Sequence, residues 1–404
     1  MKHLAALLFL TGSLAAASPA PAQPAPPRRP APGLSFTGAW DSAPHNLSTA
    51  RNFESLFTLY GAGMDSLFKA VDLRDGTRGK VARFAQAPLD VYVAWLATLG
   101  SHEFGHCQQA WLAGSEDCHW IRAPGPYALG HIITVGDAGR LGAAGRMTIT
   151  TGGVQATIAA ADALKRDIFE ARDAGWTAAP LLALRQLDFS LYGLTAPSPA
   201  AAQPSDYAND MTNYAISYGV RSGQGGEVVH DDIVSGAVWN LVDPMTWLMA
   251  YSYVSDYVID GDSTLRRIGL RTGSVSWTAT TNAWLSEVGV RYALGIFARD
   301  ARGHVIEVTP SWGESQPAVN ARWSQPLTDQ VRAFVSGDLW SQREGAAPGD
   351  RSTGGAIGGG AAYHSGAFVY TGSLGYKSHG VMLGQPLNAG WIFQISASIR
   401  ASRR

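Results

Sequence analysis

The amino-acid sequence predicts an α+β fold: a helical, HExxH-bearing metallohydrolase-like region, then an antiparallel β-meander closing as a barrel of about eight or more strands. Three observations carry this. His102-Glu103-Phe104-Gly105-His106 stands in an apolar run with helical spacing, and the hydrophobic period changes from 3.6 to 2 near residue 262. Charged residues make up only 16% of the chain, while Gly (46), Trp (13) and Tyr (14) are abundant. Charge well below about a quarter, with many glycines and aromatics, is the composition of a membrane β-barrel. The 404 residues are enough for two such regions, and 31 basic against 32 acidic residues give no basis for a nucleic-acid partner.

In chain order, Lys2 and His3 precede the apolar run Leu4–Ala17 and an A-x-A pattern at Ala20-Pro21-Ala22. Residues 1–22 therefore read as a secretory signal peptide, too short for a membrane span. Residues 23–34 form a Pro-rich linker; the remainder divides into a mostly helical region, 35–260, and a β-barrel-like region, 261–404. Export places the mature chain in an oxidising envelope compartment, with the outer membrane favoured and the periplasm as alternative. Phe53, Leu56 and Leu59, then Met64, Leu67 and Val71, form the apolar stripe of one or two amphipathic helices.

From Val91 to Leu112 apolar residues recur at helical spacing, which makes HEFGH part of one helix. Positions i and i+4 share a face, so His102 and His106 project side by side and both reach one Zn2+ at about 2.0–2.1 Å. Glu103 lies one residue round the helix, placed to act as general base on a metal-bound water. Two histidines and a carboxylate are costly to bury unpaired in so apolar a helix, which favours a metal over a solvated helix face. Cys107 points about 100° away from His106 around the helix and is not a ligand. It is read as the disulfide partner of Cys118, against the alternative of two buried thiols.

Gly- and Pro-rich segments carrying His119 and His131 follow, read as hairpins or irregular strands with both histidines as satisfied polar residues and His131 as the fallback ligand. Gly152-Gly153 opens an Ala-rich helix to about Arg172, whose small residues allow close approach to another helix. A shorter helix spans about Pro180–Tyr192, and residues 197–210 read as a loop. The run His230–Val254 is helical, with Asp231 and Asp232 capping its N-terminus and Pro244 breaking it. Asp243, a carboxylate in this apolar stretch, is the expected third metal ligand; the alternative is that it caps the half-helix after Pro244.

SHEFGHCQQAWLAG, a β-rich insert, TTGGVQATIAAA and WNLVDP stand in an order that resembles the core of the site-2 protease family of zinc metallopeptidases. The resemblance implies a zincin-like peptidase acting on a peptide or protein. It would make His102 and His106 zinc ligands, Glu103 the general base and Asp243 the third ligand.

Beyond residue 262 the final segment shows the period of 2 best: Trp391, Phe393, Ile395, Ala397 and Ile399 alternate with Ile392, Gln394, Ser396, Ser398 and Arg400. About ten residues of this kind suit a transmembrane strand. Comparable strands are expected near 266–276, 283–297, 303–312, 317–325, 330–341, 355–363 and 366–376. The functional expectation is an exported zinc-dependent metallohydrolase of a Gram-negative cell envelope, first a peptidase, with a lipid bilayer as partner. A lipid or cell-wall amide is the other substrate class; the oxyanion partner is left unassigned, with Asn240 named only as a guess. The alternative is a non-catalytic outer-membrane barrel, structural or transport, with a helical plug and a vestigial or structural metal site.

Overall fold

The computed structural model describes residues 35–41, 46–73, 75–122, 131–171, 174–203, 209–265, 269–314, 316–343, 351–365, 368–383 and 389–400. The expected signal peptide and linker lie outside them. After strand β1 (Ser35–Asp41) come helices α1 (Asn46–Ala70) and α2 (Gly76–Leu112), then a hairpin of β2 (Cys118–Arg122) and β3 (His131–Val135). Helix α3 (Gly142–Ala171) leads through β4 (Ala174–Gly175) to α4 (Ala178–Thr195), α5 (Asp210–Ser222), α6 (Gly226–Leu241) and α7 (Pro244–Ser252). Helix α7 runs on as a π-helical segment, Tyr253–Ile259, and β5 (Thr264–Leu265) pairs back with β4.

Helix α2 is 37 residues long and begins well before Val91, passing through Pro88. A proline lacks the N–H of the helical ladder, so sequence alone favours a start beyond it. Here the turns on both sides hold the helix continuous. The run after His230 divides as Pro244 requires, with Pro244 at the first turn of α7. Helix α6, however, starts at Gly226, so Asp231 and Asp232 lie within it and do not cap it.

The remaining strands are β6 (Leu270–Thr272), β7 (Val275–Ser286), β8 (Gly289–Arg299), β9 (Val305–Trp312), β10 (Ala318–Pro326), β11 (Val331–Arg343), β12 (Arg351–Ser365), β13 (Phe368–Lys377) and β14 (Gly390–Arg400). They form an antiparallel meander, and β1 joins beside β14 to give ten strands in one sheet. The first strand of the region expected to be helical therefore belongs to the sheet. Among the described residues no ladder joins β1 to β6. The stretch expected as one strand over 283–297 is in fact a hairpin, turning between Ser286 and Gly289. Ser286, Glu287 and Gly289 mark the turn, within a stretch where Ala283, Leu285, Val288, Val290 and Ala293 are all buried.

The two faces of the sheet differ. Register pairs Phe297 with Glu307, Glu307 with Arg322 and Asn320 with Asp338, which puts these side chains on one face. Glu307, Arg322, Asn320 and Asp338, together with Asp162 and Arg166 of α3, line a cavity of about 250 Å³. Arg166 makes a two-pronged ion pair with Glu307, at 2.6 and 2.9 Å, tying α3 to this face. The opposite face presents Ile306, Val335, Leu339, Ile357, Leu374 and Ile395, all exposed.

Candidate metal centre

Helices α2 and α3 cross with glycine on glycine. A Cβ at Gly105 would come within 2.5 Å of the Gly152 carbonyl oxygen, and one at Gly152 within 2.7 Å of the Gly105 oxygen. The neighbouring Gly153 faces the histidines: a Cβ there would lie 2.5 Å from His106 Nε2 and 2.6 Å from His102 Nε2. The small residues of TTGG thus let the second helix lie flat against the imidazole-bearing face of the first.

Both rings are oriented through Nδ1. His102 Nδ1 lies 2.8 Å from Asp188 Oδ2 of α4, which also accepts a hydrogen bond from Thr157 at 2.8 Å. His106 Nδ1 donates to the Ile149 carbonyl at 2.7 Å. A carboxylate or carbonyl on Nδ1 leaves Nε2 as the metal-binding nitrogen, the usual arrangement around a histidine ligand. Both Nε2 atoms then converge on one oxygen, Asp210 Oδ2, at 3.1 Å each.

Asp210 is the first residue of α5, whose N-cap Asn209 accepts from the backbone N–H groups of Met211 and Thr212. His102, His106 and Asp210 offer three ligand atoms within 4.8 Å of one another. Ligand atoms sharing a tetrahedral zinc lie on the order of 3 Å apart, so the donor set fits that ion in type and spacing. Glu103, one residue round α2, is buried beside them.

The electrostatics agree with a cation-binding site. Burial opposes charge on His102, but the carboxylates of Asp188 and Asp210 outweigh it and hold its pKa well above the ordinary value. His106 is likewise raised by Asp210 against its burial. Burial would push Asp210 upward, yet the two imidazoles pull it well below the carboxylate range. Three groups that stabilise one another only when positive charge is present are what a divalent ion replaces. Tyr192, four residues after Asp188 on α4, holds its ring 5.4 Å from that of His102, tilted by 45°. Burial pushes its phenol up to about 12, so it stays a protonated donor at neutral pH.

The remaining expected residues go elsewhere. Asp243 is fully buried, but its partner is the Lys165 ammonium at 3.1 Å. It also accepts from Thr281 N at 2.7 Å and from Thr246 N at 2.8 Å, capping α7. The capping alternative describes it, and the structure does not bring it to the histidine pair. Asn240 is no oxyanion partner: it accepts from Ala283 N at 2.6 Å and donates to Ala283 O at 3.0 Å, docking α6 on β7. Cys107 and Cys118 form a disulfide that links the end of α2 to β2. His119 is exposed and pairs with Asp117.

Asp210 was hidden in the segment read as loop. Its signals were an Asn N-cap directly before an acid and the apolar stripe Met211, Tyr214, Ala215 and Tyr218. Comparison with known proteins finds no family model, curated protein or solved structure that matches this chain.

Proposed function

We propose that this chain is an exported zinc-dependent hydrolase of a Gram-negative cell envelope, with a peptide or protein as substrate. The observation that carries the reading is the convergence of His102 Nε2, His106 Nε2 and Asp210 Oδ2 beside the buried Glu103. When bound there, zinc lowers the pKa of a coordinated water to about 7 and polarises a carbonyl.

The chain's own residues do the rest. Asp188 and the Ile149 carbonyl fix the two rings with Nε2 inward, and Gly153 leaves them room. Glu103, buried and one residue round α2 from His102, takes the proton of the attacking water and returns it to the leaving group. The resemblance to site-2 proteases supports His102, His106 and Glu103, with Asp210 taking the place it implied for Asp243.

Replacing Glu103 by Gln tests the role. Cleavage of a peptide library, read by mass spectrometry, is expected to vanish while zinc stays bound. Undiminished cleavage would sink the general-base assignment.

We further propose that the apolar face of the sheet meets a lipid bilayer as part of an outer-membrane barrel. Support comes from the order of residues along the strands. Trp277, Trp323, Tyr363 and Phe368 stand near the strand ends on one side of the sheet, Trp312, Tyr376 and Trp391 near the ends on the other, all exposed. Ile296, Val308, Val335, Ile357 and Leu374, also exposed, lie between. An aliphatic band flanked by aromatics, over a polar opposite face, matches the bilayer profile. No helix among the described residues is long and apolar enough to cross a membrane. Resistance to carbonate extraction from the outer-membrane fraction is expected; full release would contradict the membrane setting.

A further inference from the structure

We infer that the metal centre faces the outside of the cell, on the side of the bilayer opposite the strand ends where β1 enters and β14 leaves the sheet. This rests on the reading of the sheet as an outer-membrane barrel and adds the direction in which it is inserted.

The meander has two distinct rims. At one, the connections are 273–274, 300–304, 327–330 and 366–367, none longer than five residues. Ser35 at the start of β1 pairs there with Arg400 at the end of β14. The other rim carries 287–288 and 313–317 and also the two longest connections, 344–350 and 378–389. Outer-membrane barrels turn short connections to the periplasm and long ones outward.

The metal centre belongs to the long-connection rim. Helix α5, which begins with Asp210, is pinned there by Tyr214, whose hydroxyl donates to the Ser286 carbonyl at 2.7 Å. Tyr218 of the same helix donates to Glu314, in the 313–317 connection, at 3.0 Å. On α3, two residues beyond Gly153, Gln155 donates to the Leu285 carbonyl at 3.0 Å. Both helices that complete the site around α2 are thus anchored at the end of β7 furthest from the short turns. A hydrolase so placed acts on extracellular peptide or protein rather than on periplasmic chains in transit.

Single cysteines report the direction, because Cys107 and Cys118 are paired and no free cysteine competes among the described residues. Val220→Cys marks α5, where the side chain is 78% exposed, and Asp329→Cys marks the exposed 327–330 turn. Val228→Cys and Arg302→Cys serve as second markers should either first variant fail to assemble. The full chain is produced in a Gram-negative host, and intact cells are treated with a membrane-impermeant maleimide. Labelling of Val220→Cys on intact cells, and of Asp329→Cys only after the outer membrane is permeabilised, is the expected result. Any other pattern in a membrane-inserted chain overturns the inference alone. Recovery of the chain in the soluble periplasmic fraction overturns the membrane reading and the inference with it.

Discussion

Two aspartates stand at helix starts in this molecule, the half-buried Asp210 on α5 and the fully buried Asp243 ahead of α7, and they solve the same electrostatic problem differently. Asp243 lies against the Lys165 ammonium, and its two oxygens accept further hydrogen bonds from Thr281 N and Thr246 N. Its charge is neutralised by the chain itself. Asp210 faces two imidazole nitrogens whose other nitrogens are already committed to Asp188 and Ile149. Its charge is balanced only by protons on both rings or by a cation that replaces them. A buried carboxylate therefore calls for a positive partner, but only the donor set around it tells a structural ion pair from a metal site.

The contrast breaks most sharply at Asp243. Asp243→Ala strands the Lys165 ammonium in a fully buried position, and the expected loss is about 3–5 kcal/mol of stability in denaturant unfolding. The folded fraction should retain its zinc; parallel loss of zinc would mean that the two aspartates are not separate. Gly153→Ala comes next. A methyl 2.5 Å from His106 Nε2 must push the ring aside, so zinc is expected to be lost, with overpacking costing about 1–3 kcal/mol. Normal zinc content in that variant would mean that the rings are not held as described. The smallest effect is expected of Asp188→Asn, which keeps the shape but weakens the bond that orients His102. Zinc affinity should fall about 10–100-fold in competition with a chelator, with little change in unfolding.

Much of this was legible in local pattern. The HEFGH face and the small residues of TTGG act over one or two helical turns, so periodicity and residue size disclose them. The third candidate ligand comes from a short helix behind a Pro- and Ala-rich segment, and chain topology rather than spacing delivers Asp210 to His102 and His106. Asp243 was a sound inference about burial with the wrong cation, because Lys165 lies on a different helix and nothing local links the two. The hairpin of β7 and β8 escaped for a related reason. Its far end is packed between α3 on one face and α6 on the other: Lys165 reaches Asn282, while Trp239 donates to the Ala293 carbonyl. A strand buried on both sides loses the alternation that marks strands, so the turn signal Ser286-Glu287-Val288-Gly289 stood inside what read as one apolar run.

The most direct measurement is the zinc content of the purified wild-type chain beside Asp210→Ala and Asp243→Ala. About one zinc per chain in the wild type, lost in Asp210→Ala and kept in the folded fraction of Asp243→Ala, is the expected result. Zinc retained without Asp210, or no zinc in the wild type under metal-replete conditions, would contradict the assignment of His102, His106 and Asp210 as a metal centre.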